Sequence, residues 1–409
     1  MRARYFYGWN VVAATFVMAL WSFGLGFYGL TVYVAALQRL HGWSAAAVSA
    51  PVTVYYVAGA LLTASIGKLF ERFGPRVVVS IGSLAMALGL AALGRVVVLW
   101  QLYPAFLAMA VGWGAMSGAA INVILAPWWE RRRGLAVSLA FNGATLGGVL
   151  ITPALVPLIE ALGFPRALAV SALSLITIPL PIAIGIMRRG PETLGLRPDG
   201  DTRALNGPSA GHRPSVRGDA LRTWRFWSVS APFALGLAAQ VGVLTHLVPL
   251  LTPTLGPRRA AVAVSATTGA ALIGRLATGV VVDRVNPRLV ATITLTVQMA
   301  GLALLARAPS MVGAYAGCAL FGLGVGNLTT LPGLILAAEW PRERFAALVS
   351  LVVGINQLTF AFGPSLVGVI RDWSGAYAPA LAATAVLQSL AAVLVLLGPG
   401  GSRDRRRVQ

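Results

Sequence analysis

The sequence predicts an all-α membrane protein: twelve transmembrane helices in two parallel six-helix repeats. Three observations carry that expectation. Of its 409 residues, 57% are hydrophobic and 11% charged, with a mean hydropathy of +0.78. A soluble domain carries about 25% charged residues. Apolar stretches of 20 or more residues recur along the whole chain. At about 1.5 Å per residue each can cross a hydrocarbon core of roughly 30 Å. Finally, one shift of 212 residues lays features of the second half on the first.

A bilayer interior offers backbone groups no water to bond, so runs of this length fold as helices. The runs are continuous and do not alternate, which excludes a membrane β-barrel. In order, the predicted helices cover 9–37, 46–69, 76–98, 100–128, 134–161, 166–187, 224–254, 260–282, 288–308, 310–338, 345–370 and 376–398. The first six make an N-terminal bundle (1–187) and the last six a C-terminal bundle (224–398). Between them, 188–223 is rich in Arg, Pro, Gly and Asp and holds no apolar run, the composition of a linker. Residues 399–409 form a basic tail. The start, Met1 to Arg4 ahead of a long apolar helix, lacks the cleavage pattern of a signal peptide.

The formal net charge is +20, which in a soluble protein would suggest nucleic-acid binding. Here the basic residues sit in short clusters between apolar runs, the pattern that orients membrane helices. Counted from the N-terminus, alternate loops hold 24 Lys and Arg and the other six hold 7, with Arg275 in neither set. Without the central linker the ratio is still 16 to 7. Both termini and the linker are therefore expected in the cytoplasm, in a multi-pass protein of the inner cell membrane. The lipid bilayer is a partner and nucleic acid is not. Cys318 is the single cysteine, so no intrachain disulfide forms. His41, His212 and His246 show no metal-ligand spacing, and no metal or cofactor is expected. Glu71, Glu130, Asp283, Glu339 and Asp372 fall at helix ends. No acid–base or nucleophile–base cluster lies within the spans, and no phosphate loop occurs, so an intramembrane enzyme and a primary pump are excluded.

The repeat holds charged loops in register, which shared low complexity would not easily do. Gly67, Glu71, Arg72 and Arg76 fall on Gly279, Asp283, Arg284 and Arg288 at the 212-residue offset. Arg95 falls on Arg307, Tyr103 on Tyr315, and Val137-Ser138-Leu139 on Val349-Ser350-Leu351. Six helices per half make the repeat parallel; carriers of that plan place substrate near the bilayer midplane and move one half against the other. Gly67-Lys68-Leu69-Phe70-Glu71-Arg72-Phe73-Gly74-Pro75-Arg76 resembles the loop 2–3 signature of the major facilitator superfamily, and Gly279 to Arg288 its second-half copy. Glycine permits close helix approach, and an acid can pair with arginine or sit at a helix N-terminus. Gly67, Glu71, Arg72, Arg76, Gly279, Asp283, Arg284 and Arg288 are thus candidates for a conformational latch. The plainer alternative is a pair of turns that only supply positive charge.

A narrower resemblance, to the monocarboxylate porters and their bacterial relatives, rests on four stretches. These are Trp129-Glu130-Arg131-Arg132-Arg133-Gly134-Leu135-Ala136-Val137-Ser138-Leu139-Ala140-Phe141-Asn142-Gly143, the short Tyr7-Gly8-Trp9, the linker start from Pro191 to Gly200, and Ile273-Gly274-Arg275. The resemblance implies a carrier of small organic anions, with Arg275 as its substrate arginine. The oxalate–formate exchangers belong to the same bacterial branch. In animal members an aspartate one turn before that arginine and a lysine in helix 1 serve proton coupling. Here the first position is Ala271, and Phe27-Tyr28 replaces the second.

Arg275 is also singled out by its position, as the one charged residue deep inside a span. A charge there costs at least ~2.5–3.5 kcal/mol and is a functional-site hypothesis by default. It lies eight residues before Asp283, about 12 Å into the core. The repeat puts Thr63 at the equivalent position, so the fold does not demand the charge. A guanidinium fork matches a carboxylate; the alternative use is bonding to helix carbonyls. One fixed cation suits a monoanion, lactate- or pyruvate-like. Dicarboxylate exchange and efflux of a drug or metabolite are the competing transport functions. Asn122, Tyr28, Tyr55, Tyr56, Asn142, Gln240, His246, Asn327, Asn356 and Gln357 are polar or amphipathic groups in apolar helices. Each is a candidate substrate contact, and each could equally bond a neighbouring helix. Uniport, exchange and proton symport are all compatible with these residues, with His246 as a substitute proton carrier. The expected partners are a small anionic substrate and, in the symport case, a proton. The chain is expected to be a monomer.

Overall fold

The computed structural model describes residues 6–188, 190–200, 220–282, 284–307 and 310–399. Asp283 of the predicted latch lies outside the described residues, as do most of the linker and the basic tail. Among the described residues every regular element is helical. Ten helices are long and apolar enough to cross a membrane, and Met311–Val325 is a shorter apolar helix. One of the ten, Ala45–Leu93, has 49 residues, about 73 Å and far more than one crossing. It is broken at Gly74, where φ is 81° and ψ 161°, a conformation open to glycine and strained for other residues.

Among the described residues twelve spans result, as the sequence predicts. They are α1 (Gly8–His41), α2 (45–73), α3 (75–93), α4 (Leu99–Leu125), α5 (Arg133–Leu162), α6 (Phe164–Ile186), α7 (Trp224–Leu255), α8 (Pro257–Val281), α9 (Pro287–Ala306), α10 (311–339), α11 (342–374) and α12 (Tyr377–Leu396). Predicted ends shift by five residues at most.

The chain forms two compact units. The first takes in Met1–Trp43 and Val54–Gly211, the second Ser44–Thr53 and His212–Gln409. The first nine residues of α2 thus pack inside the second unit, which a division of the sequence at its linker does not anticipate. The reason is local. The Asp372 carboxylate accepts from the amides of Ala45 (3.0 Å) and Ala46 (2.6 Å), capping the α2 N-terminus where negative charge is favoured. Thr53 Oγ1 lies 2.7 Å from Ser365 Oγ.

In the first unit α1 crosses α5 backbone to backbone. A Cβ on Gly143 or Gly147 would overlap the carbonyls of Phe16 and Leu20. In the second unit α8 crosses α10 in the same way, Gly274 against the Leu323 carbonyl and Gly322 against that of Thr267. Apolar lipid gives helices no hydrophobic reason to associate, so such close packing holds a bundle together.

Several spans are irregular. α1 contains a π turn at Gly24–Tyr28 and α5 another at Gly147–Ile151. α4 is interrupted at Ser117, whose backbone is extended. α10 is interrupted at 326–330, between Met311–Val325 and Leu331–Glu339, and α11 at 361–362. These are mid-span features of helices that carry most of the predicted site residues.

Candidate functional site

In the second unit the site forms where α8 crosses α10. Gly274 is pressed onto Leu323, which brings the next residue, Arg275, onto the interruption of α10. Its guanidinium lies against Gly326: a Cβ there would sit 2.8 Å from both Nε and one terminal nitrogen. The absence of that methyl makes room for the fork. Nε is buried without a hydrogen-bond partner, and no carboxylate among the described residues pairs with the side chain. The side chain as a whole is half-buried.

Asn327 follows directly. Its amide nitrogen donates to the carbonyls of Leu323 (3.2 Å) and Gly274 (3.4 Å), while its buried oxygen has no donor. One side chain therefore ties the interrupted helix to the turn that carries Arg275. Gln240 donates to the Val325 carbonyl at 3.3 Å, just before Gly326. Behind it runs a buried chain. Gln388 donates to Gln298 (3.0 Å) and Gln298 to Gln240 (2.9 Å), joining α12, α9 and α7. The sequence reading names Gln240 but misses Gln298 and Gln388, although both carry the same signal: a polar residue within an apolar span. Asn356 is buried with its oxygen unpartnered, and Gln357 is half-buried.

His246 lies elsewhere in this unit. Its Nε2 is 3.0 Å from both the Pro364 carbonyl and Ser49 Oγ, and its Nδ1 is 3.2 Å from the Tyr377 hydroxyl. A carbonyl can only accept, so Nε2 carries the proton and Nδ1 accepts. Both ring nitrogens are engaged at the seat of the α2 N-terminus.

The first unit gathers rings instead. Tyr55 donates to the Gly26 carbonyl at 2.6 Å, holding the π turn of α1. Tyr55 and Tyr56 lie 5.0 Å apart between centroids, and Tyr28 is 5.0 Å from Phe27. Around them stand rings that the sequence reading passes over. Phe27 stacks on Trp113 at 5.8 Å and 17°, and Phe23 meets Trp113 edge-on at 4.9 Å. Tyr56 and Phe141 complete the group, 6.1 Å from Phe27 and 6.4 Å from Phe23. Asn122 donates to the Gly118 carbonyl of its own helix at 2.9 Å, and Asn142 is half-buried.

Of the latch candidates, Glu71, Arg72 and Arg284 are exposed and Arg76 is half-buried. A Cβ on Gly67 or Gly279 would meet open space. Arg288 is buried and grips Glu339 at both oxygens, 2.6 and 3.0 Å, and it donates to Ser228 and to the Val395 carbonyl. Trp128 and Trp129 are buried. Phe6, Tyr7 and Trp9 pack over them at 4.6–6.2 Å.

Residues 16–364 match the sequence profile of the Major Facilitator Superfamily. The chain is 23% identical to "MFS-type transporter 1" of Ophiocordyceps sp., over 96% of this chain and 85% of that one. It is 28% identical to monocarboxylate transporter 11 of Mus musculus, over 90% of this chain and 82% of that one. The crystal structure of a bacterial homolog to the human lysosomal transporter Spinster, inward-facing and occupied, superposes with a TM-score of 0.71. That alignment covers 96% of this chain and 97% of that one at 16% identity, a likeness of fold.

Proposed function

The chain belongs to the Major Facilitator Superfamily, and from that premise we propose that it carries a small organic monocarboxylate anion by alternating access. It is a multi-pass membrane transporter and not an enzyme. The observation that carries the substrate assignment is Arg275: a half-buried guanidinium in a membrane-spanning helix, its Nε without a partner and with no carboxylate among the described residues beside it. An intramembrane cation that no protein group neutralises suits an anionic cargo. A single cation matches one carboxylate better than two. The likeness to a monocarboxylate transporter at 28% identity supports the same class.

Arg275 receives the carboxylate, Asn327 and Gln240 brace that position, and Asn356 and Gln357 are further candidate contacts. The loops 67–76 and 279–288 act as latches. The pairing of Arg288 with Glu339 supports that role for the second by fixing the N-terminus of α9. The protein works as a monomer in the inner cell membrane with both termini in the cytoplasm, as the bias of 24 basic residues against 7 supports.

Uptake of labelled monocarboxylates into liposomes holding the purified chain tests this, beside Arg275→Ala. Removing one member of a desolvated charge pair lowers affinity by roughly 30-fold or more, so uptake by the variant falls to background. Equal uptake in both proteins overturns the role of Arg275. Uptake with and without an inward proton gradient decides the coupling, for which Ala271 and the lysine-free α1 remove the groups used by animal relatives.

A further inference from the structure

We infer that Gln298 and Gln388 are positioning residues: through Gln240 they hold the break of α10 against Arg275, and so set the place where the anion binds. The last clause rests on the carrier reading above. Every residue involved belongs to the second unit.

The break leaves the Val325 carbonyl at the end of a helix, and no backbone amide among the described residues bonds it. Gln240 Nε2 does so instead, at 3.3 Å. A carbonyl can only accept, so this one contact orients the whole chain of amides. With its nitrogen on Val325, Gln240 turns its oxygen to Gln298 Nε2, and Gln298 in turn offers its oxygen to Gln388 Nε2. Gln388 Oε1 is left over at the far end, buried without a donor. All three side chains are buried, where aligned amide dipoles polarise one another.

Two glycines of α10 flank Val325 and take up the two ends of this arrangement. A Cβ on Gly324 would lie 2.7 Å from Gln298 Nε2, and one on Gly326 would lie 2.8 Å from Arg275 Nε. The same short stretch of backbone is therefore moulded to an amide on one side and to the guanidinium on the other. A shift of the Val325 carbonyl moves the surface on which Arg275 rests.

Packing does not call for these amides. At the 212-residue offset Gln298, Gln388 and Gln240 fall on Met86, Ile176 and Tyr28, and Gly324 falls on Gly112. In the first unit a Cβ on Gly112 would overlap the Met86 side chain, so the same slot is filled there without an amide. Stability explains them poorly as well. Hydrogen bonds between membrane helices contribute little on average, because the unfolded chain also finds partners in the bilayer, and the orphaned oxygen of Gln388 is a cost. What the amides supply is a fixed position for one carbonyl, one residue from the seat of Arg275.

Gln298→Met and Gln388→Ile install the residues of the first unit and test this. Uptake of labelled lactate or pyruvate is measured in proteoliposomes across a range of concentrations. Each variant is expected to raise the half-saturating concentration about 5-fold, the effect of one buried hydrogen bond, with maximal uptake per folded protein unchanged. Adding Gln388→Ile to Gln298→Met should raise it no further, since Gln388 acts through Gln298. An unchanged half-saturating concentration in folded variants, or a lowered thermal midpoint and maximal uptake alone, overturns the inference. So does failure of both variants to fold, which would make the amides structural. If one fails, the other decides. If the wild-type protein takes up no carboxylate, the carrier reading falls separately, and hydrogen exchange in detergent decides whether the amides hold the break. Exchange of the amides of 324–328 about 10-fold faster in Gln298→Met upholds that positioning, and equal exchange overturns it.

Discussion

A side chain as long and as charged as Arg275 stays in a membrane only where the backbone lets it fit. The position opposite its guanidinium is Gly326. Gly326→Ala places a methyl 2.8 Å from Nε and the terminal nitrogen. The clashing atoms are the far end of a flexible side chain, so Arg275 yields and the helices do not. The expected result is a fall in apparent anion affinity of about 10-fold, with the thermal midpoint in detergent unchanged. A lowered midpoint with unchanged affinity would mean that Gly326 serves packing alone. Arg275 was legible in the sequence because a lone charge inside an apolar run is costly and seldom kept without a use. Its setting was not. Asn327, Gln298 and Phe27 each have an ordinary use in helix packing, and only the structure separates them. It ties Asn327 to the Arg275 turn, puts Gln298 in the middle of a glutamine chain and lays Phe27 on Trp113.

At the scale of helices, the spans were legible to within a turn or so because their lengths are set by bilayer thickness. Their interruptions were not. The π turns of α1 and α5 and the breaks in α4, α10 and α11 occur in sequences whose composition differs little from regular helix. Tertiary bonds decide them, such as that from Tyr55 to the Gly26 carbonyl. The end of α9 shows the same rule with charge. Arg288, in the first turn, joins α10 through Glu339, α7 through Ser228 and α12 through the Val395 carbonyl. Both charged side chains are buried, at 4% and 6% exposure. Glu339→Ala leaves Arg288 buried without a carboxylate, and Arg288→Ala leaves Glu339 only the half-exposed Arg225 at 3.9 Å, so each should cost about 3–5 kcal/mol of stability. Replacing both with apolar residues of similar volume, Arg288→Met with Glu339→Leu, should cost less than the two single changes together. Thermal unfolding in detergent across the four proteins measures this, and additive losses would show that the two residues act separately.

Across the whole molecule the repeat preserves shape and divides chemistry. At the 212-residue offset the interruption of α4 at Ser117 falls on Thr329 in the break of α10, and the π turn of α5 at 147–151 falls on 359–363 at the break of α11. These two irregularities belong to the fold, since both units have them, whereas the π turn of α1 falls on 236–240 in the regular helix α7. The candidate site residues do not. Arg275 corresponds to Thr63, Gln298 to Met86, Gln388 to Ile176 and Trp113 to Val325. One unit has specialised in rings, the other in a cation and amides. The equivalence of Thr63 and Arg275 also makes the number of cations adjustable. Thr63 carries a buried hydroxyl with no partner, so Thr63→Arg sacrifices no hydrogen bond, though a second intramembrane cation costs about 3 kcal/mol of stability. If the cargo reaches position 63, uptake of a dicarboxylate relative to a monocarboxylate should rise by about 10-fold in Thr63→Arg, an effect of one added charge pair in a partly screened site. A ratio that stays at the wild-type value in folded protein would mean that position 63 has no access to the cargo, and that the repeat relates the two backbones without relating their sites.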